Sequence, residues 1–144
     1  MKVKDIMAKE IICVGADEPI ERAAQLMKEH NIGSVPVCEG ERIIGIVTDR
    51  DITLRHVAQG AEQTRSVSDI MTSNPVVGSP DMDADDAARL MGERQIRRLP
   101  IVEGNALVGI VALGDLSVRP KLKDDAGRAL SGISEPSEYN RPLF

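Results

Sequence analysis

The chain repeats itself, and no other feature narrows its fold as much. The stretch Glu39-Gly40-Glu41-Arg42-Ile43-Ile44-Gly45-Ile46-Val47-Thr48-Asp49-Arg50-Asp51 is answered 64 positions later by Glu103-Gly104-Asn105-Ala106-Leu107-Val108-Gly109-Ile110-Val111-Ala112-Leu113-Gly114-Asp115. The same shift relates Val3-Lys4-Asp5-Ile6-Met7 to Val67-Ser68-Asp69-Ile70-Met71, Ala23-Ala24-Gln25-Leu26-Met27 to Ala87-Ala88-Arg89-Leu90-Met91, and Pro36 to Pro100. A fixed period of this kind means two copies of one supersecondary unit. A lone copy of about sixty residues would bury little of its own surface and be marginally stable. The copies are therefore expected to pack on each other as a pseudo-twofold pair.

Within a copy, hydrophobic periodicity sets the element order. Ile11 to Val14 is of strand length. Pro19 suits the first turn of a helix that Asp17 can cap, and Ile20, Ala23, Ala24 and Met27 mark its inner face. Val35-Pro36-Val37-Cys38 is a strand, Glu39 to Arg42 a hairpin turn, and Ile43 to Val47 a further strand, nearly all apolar. Thr48 or Asp49 caps a second helix carrying Ile52, Leu54, Val57 and Ala58. The second copy follows suit, with strands at Asn74 to Val77, Leu99 to Val102 and Leu107 to Val111. Its helix opens over Asp81 to Asp86, and its last helix is cut short before Pro120. Each copy is thus β-α-β-β-α with a lead-in turn and a small mixed sheet, an α/β (α+β) fold. The expected boundaries are 1–62, 63–119 and a tail at 120–144, partly disordered or docked on a partner through Tyr139, Leu143 and Phe144.

Composition removes several functions. The net charge is −5, and there is no Trp, one Tyr and one Phe. Backbone binding to nucleic acid needs concentrated Lys and Arg, and single strands need aromatic platforms, so nucleic acid is not an expected partner. No apolar run approaches a membrane span and the start lacks a secretory signal, so a cytoplasmic protein without membrane association is expected. No catalytic constellation stands out, and no Gly-rich phosphate loop follows a strand. With only two histidines, acid–base capacity near neutrality is small. An enzyme is not expected.

The strand ends resemble those of the cystathionine-beta-synthase (CBS) domain family, and two tandem copies resemble its standalone Bateman module. The signature there is an apolar strand with a glycine, then Thr or Ser, then an acidic residue three positions on. Gly45-Ile46-Val47-Thr48-Asp49-Arg50-Asp51 matches it in full, preceded by Ser34-Val35-Pro36-Val37. The second copy, Arg97-Arg98-Leu99-Pro100-Ile101-Val102 and Gly109 to Asp115, keeps the aspartate but has Ala112 at the hydroxyl position. The resemblance covers about residues 1–119. It implies a regulatory sensor binding an adenosine-containing ligand (AMP, ADP, ATP, S-adenosylmethionine or NAD, with AMP or ATP foremost) in a cleft between the repeats. It further implies a homodimer of pairs. The rival reading is an interaction module with an empty cleft and an unknown protein partner.

Under that resemblance Asp51 and Asp115 would accept hydrogen bonds from ribose hydroxyls, or else serve as helix-start acids stabilised by the dipole. Thr48 would reach ribose or phosphate, or cap its helix. Arg97 and Arg98 would contact phosphate, for which a guanidinium fork is suited. Ile11, Ile12, Val35 and Pro36 would line an adenine slot in the first copy. Asn74, Pro75, Val76, Leu99 and Pro100 would do so in the second. Any of these apolar residues could equally be ordinary core.

Cys13 and Cys38 close two strands of one copy. They are read first as two buried free thiols. A reversible disulfide is the second reading, for which the Cα atoms must approach within about 7 Å. A metal site with His30 or His56 is the third, although the close spacing typical of zinc ligands is absent.

Overall fold

A computed structural model describes residues 1–60 and 65–136. In it the first repeat forms β1 (Val14–Gly15), α1 (Ile20–His30), β2 (Ser34–Glu39), β3 (Arg42–Thr48) and α2 (Asp49–Asp51), which runs on as a π-helical stretch over Ile52–Val57. A short strand β4 (Thr72–Ser73) completes a four-stranded sheet in the order β1-β2-β3-β4. β1 is parallel to β2, with Val14 opposite Val37 and Gly15 opposite Cys38. The other pairs are antiparallel. The β2–β3 hairpin turns at Gly40, whose φ of 62° is one that glycine adopts at no steric cost.

The helix α1 buries Ile20, Ala23, Leu26 and Met27 at the spacing that one helical face requires. Asn31 ends it in the left-handed region, its N–H donating to the Met27 carbonyl. Asp17 does not cap it: Pro19 holds the N-cap position, with no side-chain cap. The first strand is also shorter than Ile11 to Val14, because only Val14 and Gly15 pair with β2.

In the second helix the structure departs further from the sequence pattern. Leu54 and Val57 are exposed, whereas Asp51 and His56 are buried. A π-helical turn holds more residues than an α-turn, so the inward face shifts along the sequence and brings His56 inside.

The second repeat forms α3 (Ala84–Arg94), β5 (Arg98–Glu103), β6 (Ala106–Ala112) and α4 (Leu113–Ser117). Asn74 to Val77 is not a strand. Asn74 sits in the left-handed region at φ 53°, and the strand-like pairing is reduced to a parallel bridge between Gly78 and Ile101. Gly78 N–H donates to the Pro100 carbonyl at 2.9 Å and Val102 N–H to the Gly78 carbonyl at 2.9 Å. The chain then continues into α5 (Lys123–Ser134), a helix within the stretch assigned from sequence to a tail. Tyr139, Leu143 and Phe144, and the junction at 62–63, lie outside the described residues.

The compact units cut across the sequence repeats. Met1–Lys9 joins Val76–Glu103 and residues 108–136, while residues 10–60 and 65–75 join Gly104–Leu107. Each repeat's lead-in turn thus serves the other repeat's core. In the 10–75 unit, Val67 and Ile70 pack with Val14, Ile20, Val35, Val37 and Val47. In the 76–136 unit, Val3 and Ile6 pack with Ala87, Met91, Leu99, Ile101, Val111 and Leu116. The central strand glycines make this seating feasible. A Cβ on Gly45 would lie 2.6 Å from Met71 Sδ, and one on Gly109 would lie 2.6 Å from Met7 Sδ.

α5 covers α3 in the 76–136 unit through small residues. Gly132 lies so close to Gly92 that a Cβ there would sit 2.8 Å from the Gly92 carbonyl oxygen. Gln95 ties the C-terminal end of α5 to α3, its Nε2 donating to the Gly132 carbonyl at 3.2 Å and to the Glu135 carbonyl at 2.8 Å.

Candidate functional site

The conserved geometry of the two repeats lies where the long central strand runs into a short helix. In the first repeat the chain leaves β3 at Thr48, which has extended backbone and caps α2. Thr48 Oγ1 accepts from the Asp51 N–H at 3.0 Å, and the Thr48 N–H donates to Asp51 Oδ2 at 2.9 Å. This reciprocal box satisfies two donors that a helix start otherwise leaves open. Asp51 is only 3% exposed. Its Oδ1 lies 3.8 Å from Arg55 Nε, and Arg55 Nη1 donates to the Ile70 carbonyl at 3.1 Å. Asp51 is therefore a carboxylate fixed in position by its own helix and by a cation.

The start of β2 abuts this corner. Ser34 pairs with Thr48 in register, Val35 with Val47, and Pro36 with Ile46. The Asp49 N–H donates to the Gly33 carbonyl at 2.9 Å. Val35 and Pro36 are both buried. Ile12 packs on the core of this unit, and Ile11 is exposed. The structure thus brings Val35, Pro36, Thr48 and Asp51 to one corner of the sheet, with Ile12 on the chain leading into β1.

The second repeat builds the same corner with different chemistry. The Ala112 N–H donates to Asp115 Oδ2 at 3.0 Å, but alanine returns nothing, so half of the box is missing. The Leu113 N–H donates to the Arg97 carbonyl at 2.8 Å, which sets Arg97 and Arg98 beside the start of α4. Arg97 is exposed and Arg98 half-buried. The Arg98 Nε is buried with no hydrogen-bond partner. Pro100 is buried and Val76 half-buried against the core of the same unit. Asn74, exposed and left-handed, falls in the 10–75 unit, apart from the Val76–Pro100 group.

Cys38 is buried and Cys13 is exposed, which corrects the reading of two buried thiols. Cys13 escapes burial because it precedes the two-residue strand β1 and no partner strand covers it. Burial first, and then the neighbouring Cys13 sulfur, pushes the Cys38 thiol up to about 12. Among the described residues, the one group of three potential metal ligands is Asp83, Asp85 and Asp86, and it contains neither a cysteine nor a histidine. Asp83 there is paired with Lys2 at 3.0 Å, whose hydrogen bond and charge hold its carboxyl below the usual range. His56 was missed as an interior residue. Its Nδ1 is buried without a hydrogen-bond partner. A surface depression of about 760 Å³ between α3 and α5 is lined by Asp85, Arg89, Gln95 and Arg128, and none of the candidate residues reaches it.

The matched strand-to-helix corners, one per repeat, are the feature by which the chain can be compared with others. A family model described as the CBS domain matches residues 3–56 and 67–119. The chain belongs to the CBS domain family. It is a pair of CBS domains, a regulatory and non-catalytic module.

Among its relatives, the CBS domain-containing protein YhcV of Bacillus subtilis is 49% identical over 132 residues, which is 92% of this chain and 94% of the relative. The crystal structure of hypoxic response protein 1 of Mycobacterium tuberculosis, which holds two coordinated zinc ions, matches with a TM-score of 0.75. It is 32% identical and the match covers 83% of this chain and 98% of that one. The CBS domain pair of protein MJ0100, solved with 5′-methylthioadenosine and S-adenosyl-L-methionine, matches with a TM-score of 0.71 at 31% identity, over 81% of this chain and 93% of that one. Adenosine-containing ligands are thus found on a CBS pair similar to this one. No helix of the described residues is long and apolar enough to cross a membrane.

Proposed function

We propose that this CBS pair is a sensor for an adenosine-containing ligand, and that the ligand carries phosphate, as AMP or ATP does. The observation that carries the reading is the buried Asp51 carboxylate, fixed by Thr48 at the end of β3. A carboxylate held in this way is pre-organised to accept a pair of ribose hydroxyls, with no side-chain entropy left to lose. Ile11, Ile12, Val35 and Pro36 supply apolar walls for adenine, and the backbone of β2 its polar edge. In the second repeat Val76 and Pro100 take the part of the walls, Asp115 that of the ribose acceptor, and Arg97 with Arg98 that of the phosphate clamp. The phosphate preference rests on those two arginines. The Arg98 Nε–H lacks an acceptor, and a phosphate oxygen reached by a turn of the side chain would supply one. A sensor works through linkage, so its response is capped by the ligand's differential affinity for two states of the protein. We also infer that pairs self-associate into a homodimer inside the cell, as the family's pairs commonly do.

Titration calorimetry of nucleotide-free protein with AMP, ATP, S-adenosylmethionine and NAD tests the proposal. Saturable binding of AMP or ATP, weakened in Asp51→Asn and in Arg98→Ala, is expected. A hydrogen bond to a charged group contributes about 1.5–3 kcal/mol, so the loss is roughly 10- to 150-fold in affinity. Absence of heat with all four ligands, on protein shown to be folded, would overturn the reading. One observation favours a second reading, an interaction module without a small ligand. Asp51 is already engaged by Thr48 and Arg55. In that case Asp51→Asn would lower stability and leave every titration flat.

A further inference from the structure

We propose that Cys13 and Cys38 form a redox-active dithiol, which closes to a disulfide joining the chain before β1 to the end of β2. The register brings the two residues onto neighbouring segments, Cys13 directly before β1 and Cys38 in β2. Gly15 lies opposite Cys38 on parallel strands, and residues two apart along a strand share a face, so Cys13 is on the same side as Cys38. Directly opposite Cys38 stands Gly15, which has no side chain to cover it. The Cys13 sulfur is a near enough neighbour to act on the Cys38 thiol electrostatically. A bulge between Val37 and Cys38 interrupts the β2–β3 ladder at this point.

Exposure separates the roles of the two sulfurs. Cys13 is open to solvent and Cys38 is buried. The oxidant is of the low-molecular-weight disulfide class, such as glutathione disulfide. Cys13, as its thiolate, attacks one sulfur of that disulfide, breaks the S–S bond and expels the first glutathione thiolate. Cys38 then loses its proton and attacks the Cys13 sulfur, expelling the second. One disulfide is formed and one is broken. The two protein thiols give up two electrons and two protons, and both end on the two glutathiones. The high pKa of Cys38 makes the second step the slower one and leaves Cys38 unreactive toward the oxidant directly.

The crosslink has a consequence for the corner described above, and this consequence rests on the proposed function. Ile11 and Ile12 precede Cys13, and Val35 and Pro36 precede Cys38, so a disulfide would fix the spacing of the two apolar walls. Oxidation would then change affinity for the ligand.

The full chain would be equilibrated in glutathione buffers of graded redox ratio, quenched in acid, denatured and treated with a maleimide for mass analysis. Both cysteines should lose reactivity in a single transition and regain it on reduction. Cys38→Ala should instead stop at a glutathione adduct on Cys13, and Cys13→Ser should remain unmodified. Two reactive cysteines in the most oxidising buffer, or glutathione adducts on the wild type that never resolve, would overturn the dithiol. AMP would then be titrated into reduced and oxidised protein. A several-fold change in affinity, absent in Cys13→Ser, supports the coupling, and an unchanged affinity on fully crosslinked protein overturns it. If the reduced protein does not bind AMP, the ligand reading fails while the dithiol stands on its own result.

Discussion

Thr48 and Ala112 occupy the same place in two copies of one corner, and the difference is a single hydroxyl. A Ser or Thr cap is worth about 0.5–2 kcal/mol over alanine. Thr48→Ala should therefore destabilise the protein by about 1 kcal/mol in urea unfolding. Ala112→Thr should stabilise it by a similar amount, because Ala112 already has the extended backbone of a cap. Equal effects of the same sign would show that the caps do not act independently. Cys38 gives a second residue-level outcome through pH. Its pKa is raised in the folded protein from 9.0 to about 12, so the unfolded chain ionises first. Its contribution to stability is complete below pH 9, falls as the pH rises through that interval, and levels off above about pH 12. Cys38→Ala should have a flatter stability profile than the wild type across this range, as read by denaturant melts at each pH. The polar half of the corner was legible in the sequence, because the acid and the glycine stand at the same spacing in both copies and the hydroxyl joins them in the first. The engagement of Asp51 by Arg55 was not legible, since it depends on a helix turn whose winding no local pattern announces. The exposure of Cys13 was not legible either, because it depends on where a two-residue strand ends.

Helix α5 shows what a repeat comparison can detect once a structure is available. Gly92 in α3 and Gln95 just after it stand where the first repeat has Lys28 and Asn31, and both differences serve contact with α5. The sequence pattern of the contact is a set of small residues rather than an apolar stripe. For the same reason α5 was assigned to a tail, whereas α1, α3 and the two hairpins were readable from periodicity and turn glycines. Two glycines of α5 provide a test of the contact. Gly127 has open space where a Cβ would stand, and Gly132 faces the Gly92 backbone. Gly127→Ala should stabilise by roughly 0.5–1 kcal/mol through helix propensity. Gly132→Ala gains the same propensity but must push two backbones apart, and overpacking costs about 1–3 kcal/mol. The two variants should move the thermal midpoint in opposite directions. If both raise it, α5 is not seated on α3 as described.

The exchange of lead-in turns makes the repeat in sequence different from the unit in space. By sequence, Met1–Lys9 opens the first repeat. By packing, these residues complete the other core, where Val3 is fully buried and Ile6 nearly so, and where the Ala8 N–H and carbonyl bridge to Ile110. Burial of such a side chain contributes about 1.5–3 kcal/mol. Loss of both residues would remove about 3–6 kcal/mol from a unit whose whole stability lies within about 5–15 kcal/mol. Repeat arithmetic alone cannot reveal this, because the two lead-ins match each other and either would satisfy either core. What distinguishes the arrangements is chain geometry, which Met7 against Gly109 and Met71 against Gly45 make visible. Deletion of the first nine residues therefore has a directional outcome. Amide exchange followed by mass spectrometry should show loss of protection over α3, β5 and β6 from Val108 onward. The peptides of α1, β2 and β3 should keep theirs, since Val67, Ile70 and Met71 still close that core. Loss of protection concentrated in α1 to β3 would place the lead-in with its own sequence repeat and overturn the exchange. The double substitution Val3→Ala with Ile6→Ala should give the same pattern more weakly, with the backbone bridge at Ala8 left in place.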